Sequence, residues 1–241
     1  MIYSEEIKIG LKDIDKNLIV KDSAILEYLE NIAIRHADSL GYGLKENTES
    51  QVNWVLLDWK VEKLQSIKYG QMLNVNTWSK SIEKCYGYRN FEIYNQKGEL
   101  CVVATSKWLL LNTKTKSIVK ADEKLINDFD SHPDKTVLKN ETFEKLAVLD
   151  NFEVIKEYEI KRRDIDMLGH VHNIYYLDLA KEILPQEVFD CTNFKTIRIS
   201  YRKEMKYKDV VKLKYVKNES KYVITITNND DSVIHSIIEL E

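Results

Sequence analysis

A short pattern occurs twice in this chain, and the repeat restricts the folds that the chain can adopt. Asp13-Ile14-Asp15 recurs as Asp164-Ile165-Asp166, a shift of 151 residues (164 − 13). At the same shift Asp22 falls on Asn173, and both residue types favour the start of a helix. Each copy is therefore predicted to begin with a strand, a loop and an amphipathic helix.

The two predicted helices differ in length. The first begins at Asp22 or Ser23 and ends near Gly41, a residue type that commonly follows the last turn of a helix. The second is predicted from Asn173 to Leu184, because the ring of Pro185 cannot continue a helix.

After each helix the sequence changes to the alternating or continuous apolar runs that are typical of strands. The predicted strands are Val55 to Lys63, Met72 to Ser79, Tyr88 to Tyr94 and Leu100 to Leu111, then Thr196 to Arg202, Val210 to Val216, Tyr222 to Thr227 and Val233 to Leu240. An antiparallel sheet of about four strands needs cover for its apolar face, and wrapping the sheet around the helix supplies that cover. We therefore predict an α+β chain of two such units; the alternative is one α+β domain with a chance repeat.

The boundaries of the two predicted units follow from where the pattern weakens. Residues 1–126 form the first unit and residues 151–241 the second, and residues 127–150 read as a linker. This linker contains Asp130-Ser131-His132-Pro133-Asp134, and a short helix is predicted within it from Glu141 to Leu146.

Composition excludes several classes of protein. The net charge of −3 over 241 residues argues against a general nucleic-acid binder. The apolar runs are far shorter than the ~20 residues that span a bilayer, and the first residues lack a secretory pattern, so we expect a cytoplasmic protein without membrane insertion.

Cys85, Cys101 and Cys191 form no CxxC pair, so we expect free thiols. From Lys195 to Lys221 ten basic residues face three acidic ones, which favours an acidic partner.

Two separated motifs carry a family resemblance. The segment from Asp166 to Tyr176 is similar to Asp-x-Asn-x-His-Val-Asn-Asn-x-x-Tyr, and Tyr201-Arg202-Lys203-Glu204 is similar to Tyr-Arg-x-Glu. Both motifs are typical of the acyl-ACP thioesterases of plants and bacteria. In the first half, Ala104 to Trp108 and Arg35 to Gly41 also resemble that family, so the likeness extends over nearly the whole chain.

The resemblance implies two hotdog folds in tandem, each an antiparallel sheet wrapped around a central helix. It also implies that fatty acyl-ACP is hydrolysed to free fatty acid and holo-ACP, without a cofactor, by groups of the second repeat. Carried over by position, Asp166, His170 and Glu204 are the catalytic residues. The family's catalytic Asn is Leu168 here, and the Cys that follows its Glu is Met205.

These residue types suit the hydrolysis of a thioester. Glu204 can act as the general base that takes a proton from water. His170 can polarise the carbonyl group or protonate the leaving thiolate, with Asp166 orienting its ring. The free N–H groups of the helix that starts at Asn173 favour a developing oxyanion, which makes Asn173 a candidate for substrate binding.

Each of these assignments has a structural alternative. Glu204 can pair with Arg202 or Lys206 on an exposed strand. Asp166 can be a turn residue, as expected for Asp15 in the first copy. At the repeat shift the first copy has Ile19 where the second has His170, so the first copy is not expected to carry this chemistry.

A metal site is not expected either. His170 and His172 have the spacing of a ligand pair on a strand, but no third ligand with supporting spacing appears in the sequence. We therefore predict neither a metal nor a cofactor.

Substrate binding is divided between the two repeats. The resemblance places the acyl pocket largely in the first repeat, where Trp54 and Trp59 are candidates to line it. Arg202, Lys203 and Lys206 are candidates for docking of the acidic acyl carrier protein; the alternative is that they are solvated strand residues.

The sequence is compatible with three other functions. An acyl-CoA thioesterase would use the same fold and the same residues. A non-catalytic acyl-binding hotdog protein is suggested by Leu168, whose side chain cannot hydrogen-bond a thioester oxygen. An enoyl hydratase fits less well, because three residues separate Asp166 from His170 where that family has four. A homodimer is expected only by analogy with other proteins of this fold.

Overall fold

A computed structural model describes residues 1–43, 51–191 and 194–241. The contacts within the chain divide it into two compact units, Met1–Phe143 and Glu144–Glu241. Each unit contains one long antiparallel sheet and a helix that packs on it.

The described part of the first unit holds six strands in one antiparallel sheet. Its elements are β1 (Tyr3–Lys8), α1 (Asp22–Ser39), β2 (Val52–Lys63), β3 (Met72–Glu83), β4 (Tyr86–Asn95), β5 (Leu100–Asn112), the two-residue β6 (Ser117–Ile118) and α2 (Glu123–Phe129). The strand order is β1-β3-β4-β5-β2, and β6 pairs with β5.

Helix α1 fills the inner side of this sheet. Leu26, Leu29 and Ile32 recur at helical spacing along α1 and are almost completely buried. The helix packs mainly on β3, where Val75 is also fully buried. The sheet covers these apolar side chains by curving around the helix. The alternation of buried residues along β3 and β4 results from this arrangement.

The second unit repeats the arrangement with a shorter helix. Its elements are β7 (Val154–Glu159), α3 (Asn173–Lys181), α4 (Gln186–Cys191), β8 (Thr196–Tyr201), β9 (Val210–Asn218), β10 (Lys221–Asn228) and β11 (Ile234–Leu240). The strand order is β8-β11-β10-β9-β7, with antiparallel neighbours throughout. Helix α3 packs on β10 and β11, and Leu177 and Ala180 are its most deeply buried residues.

The predicted α+β organisation is confirmed. All eight predicted strands are present, and their ends coincide with the predicted ones or shift by up to four residues. The N-caps are Lys21 and His172. Asp22 and Asn173, which were expected to cap the two helices, are therefore their first helical residues. Helix α3 ends at Lys181 rather than Leu184, and the six-residue α4 that follows Pro185 was not predicted.

The helix predicted from Glu141 to Leu146 is wrong. The Glu141 carboxylate accepts hydrogen bonds from the N–H of Val137 (2.6 Å) and Leu138 (3.3 Å) and from the amide of Asn90 (2.9 Å). These bonds tie the segment to β4 and compete with the helical pattern. The stretch predicted as a linker also begins inside α2, which extends to Phe129.

Within the described ranges, no helix has the length and the apolar character needed to cross a membrane. Cys85 and Cys101 are free thiols, whereas the side chain of Cys191 lies outside what the structure describes.

Candidate active site

The loop between β7 and α3 carries His170 and is shaped by one carboxylate. Oδ1 of Asp166 accepts hydrogen bonds from the backbone N–H of Leu168 (2.8 Å) and of His170 (3.2 Å). The N–H of Asp166 in turn donates to the carbonyl of His170 at 2.8 Å. Gly169 lies between them with φ = +81°, a left-handed conformation that glycine adopts without strain. The result is a closed turn that presents the His170 side chain.

The first unit contains the same turn without the histidine. Oδ1 of Asp15 accepts from the N–H of Asn17 (2.8 Å) and of Ile19 (2.9 Å). Leu18 occupies the left-handed position, with φ = +61°, that Gly169 occupies in the second unit. The aspartate therefore has the same backbone role in both copies, and only the residue that the turn presents differs.

The segment after β8 carries Glu204 to this turn. The N–H of Val171 donates to the carbonyl of Met205 at 2.9 Å, and His170 forms an isolated antiparallel bridge with Lys206. These backbone contacts place His170 Nε2 at 3.4 Å from Glu204 Oε1. The two side chains are 24% and 36% exposed, so both reach solvent from a partly enclosed site.

Tyr176 lies beneath this pair and is 4% exposed. Its hydroxyl donates to the carbonyl of Lys203 at 3.4 Å. Burial raises the pKa of Tyr176 far above its ordinary value, and the negative charges of Glu204 and Asp166 add to that effect. Tyr176 is therefore a neutral phenol at any physiological pH and acts here as a hydrogen-bond donor.

The start of α3 also faces this region of the second unit. Its N-cap, His172, makes no side-chain capping bond, so the first turn keeps the partial positive charge of an uncapped helix start. Asn173 is the first helical residue, and its carbonyl accepts a hydrogen bond from the Tyr201 hydroxyl at 3.0 Å. The Leu168 side chain is 61% exposed and offers no polar group.

A cavity of about 620 Å³ opens beside Glu204. Its lining includes Lys203, Lys206 and His235, together with residues of the β10–β11 hairpin such as Asn228. Among the described residues, neither Lys203 nor Lys206 forms an ion pair, and both are exposed.

Part of the rest of the basic stretch pairs with acids from elsewhere in the unit. Lys212 and Lys214 both pair with Asp231, at 3.4 and 2.5 Å. Arg202, the third candidate for docking, donates instead to the carbonyl of Leu146 at 2.9 Å. The cations that line the cavity beside Glu204 are the two lysines, and the carboxylates of Asp209 and Asp230 line it as well.

The two tryptophans singled out in the sequence lie in the first unit. Trp59 is 1% exposed, with its ring 5.1 Å from that of Phe91. Trp54 is half-buried and meets Phe129 edge to face at 6.4 Å. Both belong to the apolar interior of this unit.

Comparison with known proteins identifies the family. Residues 1–129 match the family described as acyl-ACP thioesterase N-terminal domain, and residues 149–239 match the one described as acyl-ACP thioesterase C-terminal domain. The chain belongs to the acyl-ACP thioesterase family. The two matches follow the order of the two repeats and together cover most of the chain.

The curated relatives of this chain include plant thioesterases. The chain is 24% identical to oleoyl-acyl carrier protein thioesterase 1, chloroplastic, of Arabidopsis thaliana, over 87% of this chain and 62% of that protein. It is 24% identical to palmitoyl-acyl carrier protein thioesterase, chloroplastic, of Gossypium hirsutum, over 85% of this chain and 52% of that protein. The chain thus spans roughly half to three fifths of the length of these curated relatives.

Solved structures of the thioesterase family confirm the predicted tandem hotdog fold. An acyl-ACP thioesterase from Bacteroides thetaiotaomicron has a TM-score of 0.89 at 20% identity, covering 99% of this chain and 96% of the other. The 12:0-ACP thioesterase from Umbellularia californica has a TM-score of 0.87 at 18% identity, covering 100% and 96%.

Replacing Asp166 separates its backbone role from a role of its charge. An amide oxygen accepts the same two N–H bonds, so Asp166→Asn is expected to keep kcat within a few-fold of the wild type. Asp166→Ala removes the acceptor, and the resulting misplacement of His170 is expected to lower kcat roughly 10²-fold. The measurement is steady-state hydrolysis of an acyl-ACP.

Asp15→Ala is the matched control, because it opens the same turn in the first unit. It is expected to lower the free energy of unfolding by about 1–2 kcal/mol and to leave kcat unchanged. Equal losses of kcat in Asp166→Asn and Asp166→Ala would instead show that the carboxylate charge acts on the reaction.

Proposed function

We propose that this chain hydrolyses fatty acyl-ACP thioesters to free fatty acid and holo-ACP, with Glu204 as general base and His170 as its partner. The observation that carries the proposal is the approach of His170 Nε2 to Glu204 Oε1, at 3.4 Å, in the second unit of an acyl-ACP thioesterase fold. Two half-buried ionisable groups held by backbone contacts at the edge of a cavity suit acid–base chemistry.

The proposed reaction begins with a water molecule beside Glu204. The carboxylate takes one proton as the water oxygen attacks the thioester carbonyl carbon, and negative charge develops on the carbonyl oxygen. A proton on His170 Nε2 and the positive end of the α3 helix dipole stabilise that charge. When the C–S bond breaks, the proton held by Glu204 passes to the leaving thiolate, so the base is regenerated.

This scheme gives the other candidate residues supporting roles. Asp166 positions His170 through the backbone of the turn, and Asn173 belongs to the helix start that faces the carbonyl oxygen. Leu168 supplies no donor, so the helix start and His170 have to stabilise the oxyanion without a side-chain amide.

We further propose that residues 151–241 provide the catalysis and that residues 1–126, with Trp54 and Trp59, provide the acyl pocket.

Release of free thiol from a panel of acyl-ACPs tests the proposal. The wild type is expected to turn over, and Glu204→Gln is expected to lose roughly 10²- to 10⁴-fold in kcat, the usual contribution of a general base. Glu182→Gln, which changes an exposed glutamate of the same unit, is the matched control and is expected to behave as the wild type. A fully active Glu204→Gln would exclude Glu204 as the base.

The acyl carrier protein is proposed as the partner because two free cations flank the cavity beside Glu204. Lys203 and Lys206 are exposed and form no ion pair with described residues, so they can meet the acidic surface of a carrier. This support is independent of the catalytic pair. The anionic phosphates of acyl-CoA would also suit these two cations, so an acyl-CoA thioesterase stays the alternative, which the same charge reversal tests with acyl-CoA as substrate.

Reversing both charges tests this docking surface. The double variant Lys203→Glu, Lys206→Glu is expected to raise KM for acyl-ACP roughly tenfold at low ionic strength, with a smaller effect in high salt. KM for the uncharged acyl-pantetheine should stay unchanged. Lys68→Glu, Lys156→Glu is the matched control, since it makes the same charge change at two exposed sites, one of them the first-unit counterpart of Lys206. An unchanged KM for acyl-ACP would remove the two lysines from the docking surface.

Two further features belong to this proposal. We infer a cytoplasmic protein, which the free thiols of Cys85 and Cys101 support because a reducing compartment keeps such thiols unpaired. A homodimer is proposed by analogy with other hotdog proteins.

The second candidate function is a non-catalytic acyl-binding protein, favoured by Leu168, and it predicts bound acyl chains without thiol release.

A further inference from the structure

His235 on β11 lies outside both family motifs and is bonded to the segment that leads to Glu204. Strand β8 pairs with β11 through Tyr201 and Ser236. One residue further, the carbonyl of His235 accepts two backbone hydrogen bonds, from the N–H of Arg202 (2.9 Å) and of Lys203 (3.2 Å). Two residues opposite one is the pattern of a β-bulge, which bends the strand and ends its pairing. The bend turns the chain out of the sheet immediately before Glu204.

The side chain of His235 holds the same segment. Its Nδ1 lies 3.1 Å from the carbonyl oxygen of Lys203. Because a carbonyl oxygen can only accept, Nδ1 carries the proton and donates to it. The hydroxyl of Tyr176 donates to the same oxygen at 3.4 Å. His235 and Tyr176 are 5% and 4% exposed, so water competes little for either bond.

The backbone is therefore held on both sides of Glu204, at Lys203 and at Met205. Before it, the carbonyl of Lys203 is held by His235 and Tyr176. After it, the carbonyl of Met205 accepts the N–H of Val171, the residue that follows His170. This arrangement leaves the Glu204 backbone little freedom relative to the turn that presents His170.

We propose that His235 is a positioning residue, which fixes the Glu204 carboxylate relative to His170 through its bonds to residues 202 and 203. The inference rests on the proposed function, because it concerns the base of that reaction. His235 also lines the cavity beside Glu204, so a role in substrate binding is the alternative that the experiment has to separate.

The test compares kcat and KM for acyl-ACP in the full chain carrying His235→Asn, His235→Gln or His235→Leu. Asn places an N–H near the position of Nδ1, whereas the amide of Gln lies further out and Leu has no donor. Asn is expected to keep kcat within a few-fold. Gln and Leu are expected to lower kcat roughly 10²-fold with KM within about twofold, since a small displacement of the base affects the chemical step.

Ser236→Ala is the control, because Ser236 is the next residue on β11, is also buried, and its hydroxyl makes no hydrogen bond to the described residues. It is expected to keep wild-type kcat. Urea unfolding monitors the fold of every variant. If the His235→Leu variant does not fold, the kcat values of His235→Asn and His235→Gln test the role of the Nδ1 bond, since both variants retain a polar amide.

Two kinds of result would overturn the proposal. A raised KM with unchanged kcat would make His235 a substrate-binding residue, and equal kcat in the Asn and Gln variants would show that the Nδ1 bond has no effect. A wild type without turnover, or a fully active Glu204→Gln, would overturn the proposed function itself, and the role of His235 with it.

Discussion

The hydrogen bond from the Val171 N–H to the Met205 carbonyl connects the two loops on which the candidate site depends. Glu204 precedes one end of this bond and His170 precedes the other, so a single backbone contact aligns two residues that are 34 positions apart in the chain (204 − 170). The sheet and helix of the second unit hold this contact in place. Strand β8 and the start of α3 fix the directions in which the two loops leave the core. A rigid scaffold that carries functional groups on its loops is a common arrangement in enzymes.

Comparison of the two repeats separates the residues that shape the loop from the residues that can carry the reaction. Both units have an aspartate that closes a turn before the central helix, and a backbone bridge from that turn to the segment after the next strand: His170 with Lys206 in one, Ile19 with Lys68 in the other. The first unit has an isoleucine where the second has a histidine. The turn is thus common to both units, whereas among the described residues the ionisable pair at this turn belongs to the second unit.

Much of the fold could be predicted because its signals are local. The apolar stripe of α1 and the alternation in the eight strands follow from periods that a sequence displays directly. Helix α4 was missed because six residues after a proline show too little periodicity, and the helix at Glu141 was predicted in error because its carboxylate bonds to β4 instead.

The site was less predictable, because its geometry is not local. Family resemblance supplied the identities of Asp166, His170 and Glu204, but no spacing could show that Asp166 bonds to the backbone rather than to the imidazole. His235 gave no signal at all, since one histidine in a strand is ordinary and its partner, Lys203, lies 32 residues away.

We propose that His170 and Glu204 act together in one reaction. A double-mutant cycle on kcat for acyl-ACP tests it, with His170→Ala, Glu204→Gln and the variant that carries both changes. Groups that act as a unit are strongly non-additive, so the double variant is expected to be no more than a few-fold slower than the slower single variant. Losses that multiply in the double variant would show that the two residues act independently and would contradict the account.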